Sequence, residues 1–191
     1  MSRTPIYHKR TPMTYYVFGQ DMRKADARIA FSSVQEDWYE IEDPVPVVLD
    51  DPDRRGDTAP ESGSNTFGDI VGGAFSLYST RLCDALSEFG IALNTRSTQI
   101  FTPGNKEPVA GHNMVLGVPD ADCLADGFDE LEYFEIAPEK TEGLSLFDLE
   151  HKLRIIDEKL KQHLDTIGLE SVFMIPTTKY GGMLAMRLVN G

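Results

Sequence analysis

The chain is short of cysteine, of cations and of long apolar runs, and each shortage closes off a class of function. Two cysteines, Cys83 and Cys123, in 191 residues make no disulfide framework. Their apolar neighbours make them read as small buried residues in a reducing compartment. No stretch approaches the roughly 20 apolar residues that span a bilayer. The opening MSRTPIYHKRTPMTYYVF carries Arg3, Lys9 and Arg10 but lacks the apolar run of a secretory signal. The cytoplasm is therefore the expected compartment. Lys and Arg number 18 against 31 Asp and Glu, a formal charge of −13. That balance argues against nucleic acid and anionic membranes as partners and favours a basic one.

The acids that are present fall into two blocks. The first runs Glu36, Asp37, Glu40, Glu42, Asp43, Asp50, Asp51, Asp53, Asp57, Glu61 and Asp69, relieved by Arg54 and Arg55. The second runs from Asp120 through Asp122, Asp126, Asp129, Glu130, Glu132, Glu135, Glu139 and Glu142 to Asp148 and Glu150, with Lys140 between. Such fields draw a basic partner from a distance. An acidic cytosolic protein with no such partner would show the same composition.

A hydrophobic share of 41% suffices for a core, and the pattern predicts one α+β domain, a mixed or antiparallel sheet covered by amphipathic helices. Residues 1–65 form its strand-and-loop N-terminal region or a small subdomain, and residues 66–191 its main part. Thr14 to Phe18 reads as a strand. Asp37 to Ile41 and Val45 to Leu49 follow, the latter held to a sheet edge or an extended loop by Pro44 and Pro46. Residues 50–65 are polar, Gly- and Pro-bearing loop. Ser76 to Phe89 is expected as a helix with Ser79 or Thr80 capping it and Gly90 stopping it. Strands are expected at Leu93–Phe101, Val109–Val118 and Leu131–Ile136, with a turn at Pro103-Gly104-Asn105. Leu153, Ile156, Leu160, Leu164 and Ile167 recur at helical spacing and predict a long helix from Glu150 to Ile167. Leu82, Leu86, Phe89, Gly90 and Ile91 are echoed by Leu160, Leu164, Ile167, Gly168 and Leu169. A helix, a glycine and a strand make an ordinary unit of mixed folds, so the echo fits either duplication or a common motif.

Catalytic constellations are missing from the pattern. His8, His112, His151 and His163 have no zinc spacing. His151 and His163 are expected on the polar side of the last helix and His112 in a turn at a strand entry. Asp120, Asp122 and Asp126 begin like a calcium loop, but Ala125 stands where that loop needs glycine. Gly72-Gly73 and Gly181-Gly182 belong to no phosphate-binding pattern. Cys83, on the expected first helix, is set for burial and a raised pKa. No metal, no cofactor and no enzyme activity are expected.

Three segments carry a resemblance. They are Phe67-Gly-Asp-Ile-Val-Gly-Gly-Ala-Phe-Ser-Leu-Tyr-Ser-Thr-Arg-Leu-Cys-Asp-Ala-Leu, then Met114-Val-Leu-Gly-Val-Pro-Asp-Ala-Asp-Cys-Leu, and Leu146-Phe-Asp-Leu through Gly168-Leu-Glu-Ser-Val-Phe-Met-Ile-Pro. Over residues 67 to 176 their order resembles the bacterial polymorphic-toxin immunity family usually numbered eleven, formerly a domain of unknown function. The family's acidic residue after the helix serine is replaced here by Thr80-Arg81, and the first 65 residues match little beyond an aromatic strand and a tryptophan. The resemblance implies a small cytosolic α+β protein that neutralises a cognate toxin in competition between bacteria, by occluding its active site. An acidic inhibitor suits a basic target, as nuclease toxins are. The candidate toxin-binding residues are Trp38 and Tyr39 as aromatic anchors, with Glu40, Glu42, Asp43, Asp120, Asp122, Asp126, Asp129 and Glu130. A core position for Trp38 is the competing reading. Two other functions stay open: a small cytosolic enzyme pairing a cysteine with a histidine, and a structural or adaptor module of a secretion or phage-like operon. The Val45–Leu49 edge leaves a homodimer open as well.

Overall fold

The computed structural model describes residues 13–24, 28–29, 40–49, 67–73, 75–102, 104, 106–108, 110–124, 134–149 and 153–181. Trp38, Tyr39, His8, His151 and the 50–65 segment lie outside the described residues. So do Asp126, Asp129 and Glu130, and the first half of the expected Leu131–Ile136 strand.

The chain forms an α+β fold of two sheets and two helices. In chain order the elements are β1 (Tyr15–Gln20), β2 (Arg28–Ile29), β3 (Val45–Val48), β4 (Ile70–Gly73), β5 (Leu77–Tyr78), α1 (Thr80–Glu88), β6 (Asn94–Phe101) and β7 (Ala110–Gly117). β8 (Leu146–Leu149), β9 (Leu153–Asp157), α2 (Glu158–Asp165) and β10 (Val172–Pro176) follow. The four-stranded antiparallel sheet has the order β10-β1-β9-β8, and the six-stranded mixed sheet the order β2-β4-β5-β7-β6-β3. β1 thus sits between strands from the far end of the sequence, while β3 runs parallel to β6 at an edge where Pro46 is tolerated.

Burial on both faces of the sheets explains the strand sequences. In β1, Tyr15 and Val17 enter one core while Phe18 and half-buried Tyr16 enter another, so the strand reads Tyr-Tyr-Val-Phe without polar alternation. The shared inner core gathers Leu82 and Leu86 of α1 with Leu160 and Leu164 of α2, and sets them on Phe18, Ile70, Tyr78, Leu146 and Ile156 from both sheets. The outer face of the four-stranded sheet packs against Ala121, Cys123, Leu124, Phe134 and Ile136. The outer face of the other sheet buries Val45, Val47, Leu49, Val71, Leu77, Ile100 and Met114.

Two expected helices shrink for the same reason. Leu77 and Tyr78 are a strand, and the first helix begins only at Thr80, capped by Ser79 Oγ accepting from the Leu82 N–H at 3.1 Å. Residues 153–157 are strand β9, and the second helix starts at Glu158, capped by Asp157. Leu153, Ile156 and Leu160 keep helical spacing, but Ile155 and Ile156 are buried on opposite faces, which a helix at this place would not require. The glycine stops are as expected, with Gly90 at φ 98° and Gly168 at φ 67°.

The echo between the helices extends to the whole topology. β4-β5-α1-β6-β7 and β8-β9-α2-β10 with β1 are two ββαββ units whose sheets share the order hairpin, central strand, post-helix strand. The hairpin registers agree, with Ile70 opposite Tyr78 and Val71 opposite Leu77, as Leu146 is opposite Ile156 and Phe147 opposite Ile155. A Ser–Asp pair closes each hairpin with the roles exchanged. In the first unit Ser79 Oγ lies 2.5 Å from Asp69 Oδ1 and the Ser79 N–H donates to the Asp69 carbonyl at 2.9 Å. In the second, Ser145 Oγ lies 2.8 Å from Asp157 Oδ2 and the Asp157 N–H donates to the Ser145 carbonyl at 3.1 Å.

Asp69 also joins the units. Its carboxylate, 4% exposed, accepts from Ser79 and from Arg81 Nε and Nη2 at 3.2 and 2.5 Å, and from the Glu170 N–H at 2.6 Å. Burial works to raise its pKa, but the donors on Arg81, Ser79 and Glu170 outweigh it and hold the group below the ordinary carboxylate range. Asp69→Asn is expected to cost about 3 kcal/mol in urea unfolding, because buried donors lose a charged acceptor. Arg81→Gln, whose side chain is 44% exposed, is expected to cost about 1 kcal/mol or less. Asp69's contribution is complete above the unfolded carboxylate value of about 3.9 and is lost as pH falls through the lower folded value. The acid limb of a stability–pH curve is therefore expected to flatten in Asp69→Asn.

Candidate functional site

The acids expected to bind a partner fall at two places, one before β3 of the six-stranded sheet and one beside β8 of the four-stranded sheet. Glu40, Glu42 and Asp43 are exposed just before the edge strand β3. Arg96 of β6 reaches back to them, donating from Nε to Asp43 Oδ1 at 2.8 Å and from Nη2 to the Ile41 carbonyl. Asp43 is thus paired with Arg96 while its side chain stays half exposed beside Glu40 and Glu42.

Asp120 and Asp122 are exposed beside β8, the edge of the other sheet, where Asp120 forms an isolated parallel bridge to Asp148. Asp148 itself is turned inward. It holds Arg154 through two hydrogen bonds of 2.9 Å, while Arg154 Nη1 donates to the buried Tyr78 hydroxyl at 2.5 Å. That cluster ties β8 and β9 to β5 of the second sheet and leaves Arg154 firmly protonated. Along the same block Glu135, Glu139 and Glu142 are exposed. Lys140, the one base in this block, donates to the Leu124 carbonyl at 3.1 Å rather than to a neighbouring carboxylate.

Between Glu139 and β9 lies an open groove of about 630 Å³. Met13, Pro138 and Leu144 give it apolar walls, and exposed Glu139, Glu142 and Lys159 stand at its rim. Its buried polar side is Tyr15, Thr141 and Asp157. The Tyr15 hydroxyl is 2.7 Å from Thr141 Oγ1, a pair separated by 126 positions. Asp157 accepts from the Leu160 N–H and from Ser145 Oγ, both at 2.8 Å. The sequence reading did not find this groove, because its residues meet only when β1 inserts beside β9. The local sign was Asp157-Glu158, a capping residue with an acid in the first helical turn.

The remaining chemical groups occupy structural positions. His112 is not in a turn but within β7, 8% exposed, with Nε2 3.1 Å from the Gly68 carbonyl and no partner for Nδ1 among the described residues. His163 is half-buried rather than solvated: its Nε2 is 3.0 Å from the Ala85 carbonyl and its ring lies 5.4 Å from Phe89, joining the two helices. No three His, Cys, Asp or Glu side chains group to hold a metal ion among the described residues. No helix there is long and apolar enough to cross a membrane. Burial pushes the Cys83 thiol up to about 11, aided by Asp84, and pushes Cys123 up to about 11, aided by Asp122.

The chain matches no protein-family model and no curated protein sequence. From an ordinary value of 9.0, a rise to about 11 leaves about a hundredth of the thiolate at neutral pH. Alkylation of the native protein by iodoacetamide is expected to run about 100-fold slower than after unfolding in urea, and a fast-reacting thiol in the folded protein would contradict this.

Proposed function

We propose that this protein is an inhibitor of the immunity type, a single α+β domain of the bacterial cytoplasm that binds a basic cognate toxin and occludes its active site. The observation that carries the reading is the placing of exposed acids in two groups on the surface. Glu40 and Glu42 stand before β3, Asp120 and Asp122 stand beside β8, and Glu135, Glu139 and Glu142 are exposed farther along the same acidic block. Carboxylates placed this way accelerate encounter with a cationic surface, and those desolvated on docking slow its release. A phosphate-binding surface, such as that of a nuclease toxin, has the matching sign.

The order of segments that resembles the eleventh immunity family points in the same direction. The thiol enzyme is the weaker reading, since both cysteines are held as thiols by burial. Trp38 and Tyr39 are retained as proposed aromatic anchors, and the β3 edge as the proposed contact for a homodimer.

The test is co-expression with the product of the adjacent reading frame. The expected result is relief of growth arrest and a one-to-one complex whose affinity falls as salt rises from 50 to about 300 mM, where screening shortens the reach of surface charge. Growth arrest that persists at equal expression, with no complex at low salt, would overturn the proposal.

A further inference from the structure

The two ββαββ units place the carboxylate of the hairpin Ser–Asp pair at opposite positions, Asp69 at the strand entry and Asp157 at the helix cap, and hold it in different states, and the difference points to a ligand. In the first unit the hairpin carboxylate, Asp69, carries four hydrogen bonds, two of them from the guanidinium of Arg81. Aligning the caps Ser79 and Asp157 sets Arg81 in register with Lys159, and Leu82 with Leu160. In the second unit the hairpin carboxylate, Asp157, is 5% exposed but carries only two hydrogen bonds, from Leu160 N–H and Ser145. A carboxylate offers about four acceptor positions, so half of its capacity remains. Among the described residues no cation pairs with it, since Lys159 stands exposed at the rim. Where the first unit has its own guanidinium, the second has an open groove with Met13 and Leu144 on its walls and Glu139 and Glu142 at its mouth.

We propose that this groove receives an arginine side chain of the basic partner, in the role that Arg81 plays within the first unit. The inference rests on the reading of the chain as a binder of a basic protein and deepens it. The charges favour this occupant: Glu139, Glu142 and Asp157 face a single Lys159. The arginine stem packs along the Met13 and Leu144 walls, as long cationic side chains lie on apolar surface. The planar guanidinium then meets the buried carboxylate, a bidentate match that an ammonium does not make. Glu139 and Glu142 steer it in from solvent.

The probe is N-acetyl-L-argininamide, titrated against the full chain while the methyl resonances of Met13, Thr141 and Leu144 are followed by NMR. The expected result is a saturable shift confined to these methyls. N-acetyl-L-citrullinamide, of the same shape without the charge, is expected to bind at least about tenfold more weakly. Asp157→Asn keeps a capping side chain and, once thermal melting shows it folded, is expected to lose about tenfold in affinity. Two further variants do not touch the cap. Glu142→Gln at the exposed rim weakens binding about twofold, and Lys159→Arg supplies the missing guanidinium from within and closes the site to the probe. No saturable shift in the unaltered protein, equal binding of the citrulline compound, or a Lys159→Arg variant that binds as before would each overturn the assignment. If the probe fails while the salt-sensitive complex with the neighbour's product persists, the groove assignment falls and the inhibitor reading stands. If the probe binds while no complex or protection is found, the inhibitor reading falls and the groove remains a guanidinium site.

Discussion

Four donors converge on the buried carboxylate of Asp69, and the arrangement of the whole molecule depends on their meeting there. Ser79 and Arg81 belong to the start of α1, Asp69 to the entry of β4, and Glu170 to the turn that follows α2. One charge therefore sets the angle between a hairpin and its helix and also fastens the second unit against the first. The backbone closes around it as well. Asp69 N–H donates to the Glu170 carbonyl at 3.1 Å, and Ser171 adopts φ 55° beside it. Gly68 has to be glycine in this place, because a Cβ there would lie 2.6 Å from Ser171 Cβ and 2.9 Å from the Glu170 oxygen. A carboxylate can be kept buried at this junction only because each of its oxygens is supplied with donors.

What could be read in the sequence was what local chemistry determines. Ser79 before an apolar periodic run, and Gly90 and Gly168 after one, mark helix ends because caps act through neighbouring backbone groups. The α+β class and the edge position of Val45–Val48 followed from proline and from strand-forming runs in the same way. What escaped was decided at a distance. Leu77 and Ile156 satisfy a helical period, yet β5 and β9 pair with β4, β7, β1 and β8, and those pairings override the spacing. His112 sits beside glycine and asparagine and so reads as a turn residue, although the sheet draws it inside. The groove brings Tyr15 to Thr141 across most of the chain, and no window of sequence contains it. Among the acidic candidates, the pairing of Asp43 with Arg96 is likewise visible only in three dimensions.

The two units differ where duplication would make them alike, and the differences follow the distribution of charge. The first unit pairs its hairpin acid internally with Arg81, and on the outer face of its sheet Phe67 and Phe75 pack against buried Val45, Val47, Val71 and Leu77. The second leaves its hairpin acid on an open groove and borders that groove with acids. At the edge of the four-stranded sheet, exposed Asp120 and Asp122 beside β8 discourage strand-to-strand association with other molecules. The same feature that suits the surface to a cationic partner thus protects it in that partner's absence.

The insertion of β1 between β9 and β10 has a consequence for the order of events during synthesis. Tyr15–Gln20 is made before every other described strand, and the two strands that flank it, β9 and β10, come after the whole first unit, so its two apolar faces stay uncovered while that unit is made. The first unit, with partners confined to residues 70–117 for its central strands, can assemble from nearby chain in the meantime. Closing the second unit requires a loop spanning nearly the whole sequence, the slow kind of contact in folding. Newly made chains therefore pass through a stage in which one half is built and an aromatic strand waits, a form that chaperones bind and that aggregates when they are scarce.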